Sequence, residues 1–273
     1  MPTLVDRDLA VRLLTEEFAA LDELYTGFTD EQWARPTCLP GWSVQDQLSH
    51  LLGIEATLLG EPAPDVDVSG FDHLRNPIAV ANEAWVESLR PATPAEVLDR
   101  FRDVTRRRLE VLGNMTQADF DQPSWTPAGP DETYGRFMRI RHYDCFVHEH
   151  DARAAVGAPD RADPDHVRSA LDEVATGIGF IVGRKAGLPV GTTVRIDVEG
   201  PVSDTWLVDI PERARVVDHL DGEPTVSIRL PAMVWLRLTA GRLDAEPLLG
   251  SPVTLGGDPG LARQLATHLA FTI

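Results

Sequence analysis

Apolar positions set the phase of the first half of the chain. Leu9, Leu13, Leu14, Phe18, Leu21 and Leu24 recur at steps of three and four, which predicts an amphipathic helix from Leu4 to about Tyr25. A short turn at Thr29 to Trp33 leads into the loop PTCLPGW, where two prolines and Gly41 exclude regular helix. Ser43 then stands as the N-cap of a second helix, Val44 to about Leu59, with Asp46 in the capping-box position and Leu48, Leu51, Leu52 and Leu58 as its apolar stripe. A third helix is predicted near Ala79 to Leu89. A fourth starts at Thr93, with Pro94 at its first position and Glu96 three residues after the cap, and runs to about Leu112. Thr116 to Glu132 reads as a loop, and Tyr134 to Val156 as a long helix closed by Gly157.

The pattern changes after the linker-like stretch at 158–165. One more helix is expected from about His166 to Ala186. The segments TTVRIDV, DTWLVDI, ARVVDHL and TVSIRL then alternate apolar and polar residues, the period of half-buried strands. Two short helices, near Pro231 to Ala240 and Pro259 to Leu269, close the chain. The reading is α+β: a four-helix bundle at 1–160, followed by a smaller α+β domain at 161–273. A length of 273 residues favours two domains in the same way.

Charge removes two partner classes. A formal net charge of −18, with no basic stripe to offset it, repels nucleic-acid phosphates and anionic lipid headgroups. Apolar runs such as Ile178 to Val182 fall far short of the roughly 20 residues that span a bilayer. Two cysteines, Cys38 and Cys145, are too few for a disulfide scaffold, and MPTLVDRDLAVRLL has no signal-peptide pattern. The expected compartment is the cytoplasm, and the expected state a monomer or homodimer.

The chemistry-bearing pattern lies on the long fifth helix. Residues four apart fall nearly on one line, so Asp144 and His148 present two donor groups on one face, with Arg141 and Asp151 beside them. A carboxylate and an imidazole one turn apart can close on a cation if a facing helix supplies a third ligand, and His50 is placed to do so. Two imidazoles and one carboxylate suit zinc and leave a fourth position open. Taken alone the spacing is weak, because salt-bridged or solvated Asp and His pairs are commoner than metal sites. His142, Glu149, His150 and Arg153 point away from this line and read as a charged outer face.

The segments CLPGWSVQDQLSHLLG and FMRIRHYDCFVHEHDARAAVG resemble the two signature regions of the DinB-like mycothiol-dependent maleylpyruvate isomerase family. The resemblance implies a DinB-like bundle whose metal ligands are His50, Asp144 and His148. LRLTAGRLD and VTLGGDPGLARQLATHLAF resemble the family's sterol-carrier-like second half, which makes Arg242 a candidate grip on a substrate carboxylate. A solvated helix-end arginine is the plainer alternative. One departure is Asp144 itself, since the family's isomerases use glutamate there; the shorter side chain would draw a metal closer to the helix.

The activity implied is that of a zinc-dependent or other divalent-metal-dependent S-transferase or isomerase. Its thiol cosubstrate would be mycothiol, and its other partner a small electrophile. Two other readings stay open: a non-catalytic ligand-binding protein with a metal staple, and a zinc-hydroxide hydrolase. Arg141, the candidate cofactor-binding residue, either holds Asp144, meets an anionic substrate or forms an ordinary buried ion pair. Asp46 and Asp151 either orient imidazoles or serve the helices that carry them. Cys38 and Cys145 are expected to be inert. Trp42 is expected to pack the turn beneath the His50 helix.

Overall fold

A computed structural model of the chain describes residues 2–72 and 74–272. It divides into two compact units, Met1–Asp160 and Arg161–Ile273. The first contains α1 (Arg7–Thr26), α2 (Asp30–Trp33), α3 (Val44–Leu58), α4 (Pro77–Leu89), α5 (Pro94–Asn114), α6 (Gln117–Phe120), β1 (Pro123–Thr126), β2 (Gly129–Thr133) and α7 (Tyr134–Val156). The second contains α8 (Pro164–Ala175), α9 (Ile178–Phe180), β3 (Thr193–Glu199), β4 (Asp204–Asp209), β5 (Arg215–Val217), β6 (Val226–Pro231), α10 (Ala232–Thr239), β7 (Thr254–Gly257) and α11 (Pro259–Ala266). The class is α+β, with a helical first unit. No helix among the described residues is long and apolar enough to cross a membrane.

Each long helix of the first unit begins on a side chain that accepts from its first-turn amides: Asp6, Ser43, Asn76, Thr93 and Thr133. Such caps satisfy donors that the helix itself leaves open, each stabilising by about 1 kcal/mol. At the far end of α7, Gly157 takes the left-handed conformation at φ 76°, which ends the helix where Gly157 predicted. Helices α1 and α3 both pack on α5 and α7, and α4 covers α3. Their shared core contains Leu14, Phe18, Leu21, Leu48, Leu51, Leu52, Phe101, Val104 and Met138. α3 and α4 pack tightly at Gly53, where a Cβ would lie 2.4 Å from the Trp85 ring.

Two expectations change. The loop expected at Thr116 to Glu132 contains α6 and an antiparallel hairpin, β1 with β2. Pro123 is the first residue of β1, and Pro130 falls at the irregular part of a two-stranded hairpin in which both strands are edges, so neither proline costs a ladder bond. The single helix expected from His166 to Ala186 stops at Ala175 and resumes as α9 and a π-helical turn, Ile181–Lys185. Gly177 stands at the break, where an added Cβ would lie 2.9 Å from the Phe271 ring, and beyond it added Cβ atoms at Gly179 and Gly183 would lie 2.9 Å and 2.8 Å from Ala214 atoms, so the chain presses close to both segments.

The second unit is built on a five-stranded sheet of order β5-β4-β3-β6-β7. β3 pairs with β6 in parallel and with β4 antiparallel, and β7 is an antiparallel edge strand that the alternation pattern did not reveal. Val194, Ile196, Val198, Ile228 and Leu230 are buried along the two central strands. Helix α8 packs on α10, and α11 on β6 and β7.

Candidate metal centre

The site begins with a turn and a cap. Gly41, at φ 82°, reverses the chain before Trp42, and the Thr37 amide donates to the Trp42 carbonyl at 2.9 Å. Ser43 and Asp46 then form a reciprocal capping box that starts α3. This fixes the phase of the helix so that Gln47 and His50 both face α7. On α7, Asp144 and His148 stand one turn apart. His50 Nε2 lies 3.3 Å from Asp144 Oδ2, and His148 Nε2 lies 3.6 Å from Asp144 Oδ1. One donor atom from each of the three residues falls within 4.8 Å of the others. The two imidazole side chains are 5% exposed, whereas Asp144 keeps 29%.

The two rings are held differently. His148 Nδ1 faces Gln47 Oε1 and lies 3.3 Å from Asp151 Oδ2. Gln47 is itself fixed, because its Nε2 donates to Thr37 Oγ1 at 2.9 Å, which leaves its carbonyl oxygen toward His148. Two acceptors at Nδ1 put the proton there and leave the Nε2 lone pair facing Asp144. His50 Nδ1 is buried without a hydrogen-bond partner among the described residues. The Trp42 ring lies against both imidazoles, with centroids 5.2 Å from His50 and 6.2 Å from His148, and its Nε1 donates to Glu83 Oε2 at 3.0 Å.

Protonation favours a ligand set. Burial lowers the His50 pKa to about 4, with Asp144 opposing, so this imidazole is neutral at physiological pH. Burial pushes the Asp144 carboxyl upward, but Arg141 and the two histidines outweigh it and hold the group well below the usual carboxylate range. The neutral His50 nitrogen, the His148 Nε2 and one carboxylate anion are the donor chemistry of a divalent cation, and these residues fit one.

Residues 14–153 match the family described as the mycothiol maleylpyruvate isomerase N-terminal domain. The chain belongs to this family. Residues 186–270 match the SCP-2 sterol transfer family. An uncharacterized protein of Mycobacterium tuberculosis is 28% identical over 259 residues, covering 92% of this chain and 96% of that one. The crystal structure of mycothiol-dependent maleylpyruvate isomerase superposes with a TM-score of 0.58 at 15% identity, covering 94% of this chain and 96% of that one. The structure of a variant of that isomerase gives the same score at 14% identity. At such identity the likeness is one of fold.

The span matched to the mycothiol maleylpyruvate isomerase family contains every residue described above and a buried ionic chain beneath them. Arg141 Nη1 donates to Asp144 Oδ2 at 2.6 Å, and its Nε donates to Glu55 Oε1 at 2.9 Å. Glu55 Oε2 accepts from Arg108 Nε, also at 2.9 Å. Arg108, Glu55 and Arg141 are at most 2% exposed. Sequence reasoning missed Gln47, Glu55 and Arg108. A signal for Glu55 was available, since it follows Leu48 by seven residues and so shares the core-facing side of α3, where a carboxylate requires a partner.

Other expected residues fall as follows. Asp46 serves its own helix: its Oδ2 accepts from the Ser43 amide and hydroxyl, and its Oδ1 lies 3.4 Å from Arg90 Nε. Asp151 lies beside His148 and also accepts from Cys38 Sγ at 3.2 Å. Cys38 is exposed; Cys145 is buried, and burial pushes its thiol up. Trp42 lies against the imidazoles as well as capping the turn. The charged outer face expected of His142, Glu149, His150 and Arg153 is not one: the first three are buried, Glu149 pairs with Arg153, and His150 Nδ1 bonds the Phe146 carbonyl. Helix α7 is enclosed on nearly every side, so polarity there marks internal pairing rather than solvent. Arg242 lies in the second unit, just past α10, where its Nη1 donates to the Ala240 carbonyl at 2.7 Å.

Proposed function

We propose that this protein is a divalent-metal-dependent enzyme that uses a low-molecular-weight thiol, mycothiol, to attack a small electrophilic carbon. The observation behind the proposal is the convergence of His50, Asp144 and His148 on one point between α3 and α7, with the carboxylate edge 29% exposed. Zinc suits two imidazoles and a carboxylate. A cation held there would stabilise a thiol as its thiolate at neutral pH.

The protein's own residues do the rest. Gln47 and Asp151 fix the His148 tautomer, and Arg141 holds Asp144 ionised and oriented. His50 supplies a neutral donor. No side chain is needed as a dedicated base. The thiol sulfur adds to one carbon of a polarised C=C, whose π pair moves onto the conjugated carbonyl as an enolate, and two outcomes are then open. Rotation about the former double bond, re-formation of the C=C and expulsion of the same thiolate give cis–trans isomerisation, as with maleylpyruvate; protonation of the enolate by the proton that the thiol lost keeps the C–S bond and gives an S-conjugate.

The test is turnover of maleylpyruvate and of a general electrophile by the full chain, with metal and mycothiol supplied or omitted in turn. Activity that needs both supports the proposal. Activity with metal but without thiol would move the assignment to hydrolysis, and binding of zinc without turnover of either substrate to a metal staple.

A further inference from the structure

Asp144 is shared before any cation arrives. Its Oδ2 accepts the 2.6 Å bond from Arg141 Nη1 and lies 3.3 Å from His50 Nε2, while Oδ1 faces His148. Arg141 cannot swing away from this contact, because Nε is tied to Glu55 and Nη2 donates to Cys145 Sγ at 3.7 Å. Glu55 is tied in turn to Arg108, whose Nη2 also reaches the Tyr134 hydroxyl at 3.2 Å and Met138 Sδ at 3.5 Å. Arg108, Glu55, Arg141 and Asp144 thus alternate in sign across three helices, and their formal charges cancel. The ligand carboxylate comes to the site with its charge largely spoken for, beside a fixed guanidinium.

We infer that the charge of Arg141, acting through Asp144, weakens cation binding at this site, and that Glu55 limits how far it does so. The inference rests on the metal-binding reading above. A guanidinium bonded to a ligand oxygen repels a cation on the same carboxylate, and in a buried site that repulsion is poorly screened. Two neutral imidazoles and a carboxylate already shared with Arg141 neutralise little of a divalent charge. More of that charge is then available to a fourth ligand such as a thiol. Affinity is exchanged for electrophilic strength.

The two members of the buried pair should therefore act in opposite directions, which a scaffolding role would not produce. The measurement is the Zn2+ dissociation constant of the full chain, by competition with a chromophoric chelator, with circular dichroism as the check on folding. Arg141→Met should bind Zn2+ about tenfold more tightly than wild type, and Glu55→Gln about tenfold more weakly. Arg141→Lys, which keeps the charge but not the forked geometry, should stay closer to wild type than Arg141→Met does. If Glu55→Gln does not fold, the comparison of Arg141→Met with Arg141→Lys decides alone. Weaker binding by folded Arg141→Met overturns the inference and makes Arg141 a simple orienting group. A wild type that binds no Zn2+ overturns the metal reading itself.

Discussion

The Asp151 carboxylate lies 3.3 Å from His148 Nδ1, on the opposite side of the imidazole from Asp144. One turn of helix thus supplies both a ligand and the group that orients it. Asp151→Asn keeps the shape and removes the charge, and it should lower Zn2+ affinity by roughly tenfold or more, as loss of such an orienting partner does elsewhere. Chelator competition measures this. An unchanged dissociation constant would mean that Gln47 alone fixes the ring.

His148→Ala and His50→Ala should each abolish stoichiometric metal binding. Mass-spectrometric metal content of protein purified without a metal-affinity tag is the direct check. Wild type should hold close to one equivalent and the variants little.

The metal-free protein should lose stability in acid over a defined window. His50 has a folded pKa of about 4, below the ordinary histidine value, because burial penalises its charged form. Between those two values the unfolded chain binds more protons than the folded one, so stability falls as pH drops from about 6.5 toward 4. The loss from this one group is on the order of 2 kcal/mol between pH 7 and 4.5. Urea unfolding with a chelator present should show it, and His50→Gln should show a loss smaller by that amount. Equal losses in both proteins would assign the effect to other groups.

Gly53→Ala should be among the more destabilising single-methyl additions in the chain. The added Cβ meets the Trp85 ring at 2.4 Å, and Trp85 is held by its own bond from Nε1 to Thr57 Oγ1 at 3.0 Å. Overpacking of this kind costs about 1–3 kcal/mol, readable as a shift in the urea midpoint. A neutral effect would show that α4 can slide away from α3.

Local grammar accounts for what the sequence disclosed. Ser43 with Asp46, Thr93 with Glu96, and Gly157 after Val156 are signals within a few residues of the boundary they set, and the helices start or end at them. Asp144 and His148 are legible for the same reason, since four residues of helix bring them together without reference to the rest of the fold. Gln47, Glu55 and Arg108 were not legible because their meaning depends on α3, α5 and α7 meeting. The outward face assigned to His142 and Glu149 failed for the converse reason: an acid or a histidine has the same letter whether it is solvated or paired inside. The hairpin of β1 and β2 is too short for alternation to register, and its prolines mimic a loop.

Trp42 stands within 5.2 Å and 6.2 Å of the two imidazoles, measured between ring centres. Its indole is thereby an optical gauge built into the site. A paramagnetic ion such as Co2+ or Cu2+ held by His50 and His148 would drain the excited state of this ring before that of more distant tryptophans. The emission difference between wild type and Trp42→Phe would then report occupancy in real time, with no dye, label or turnover.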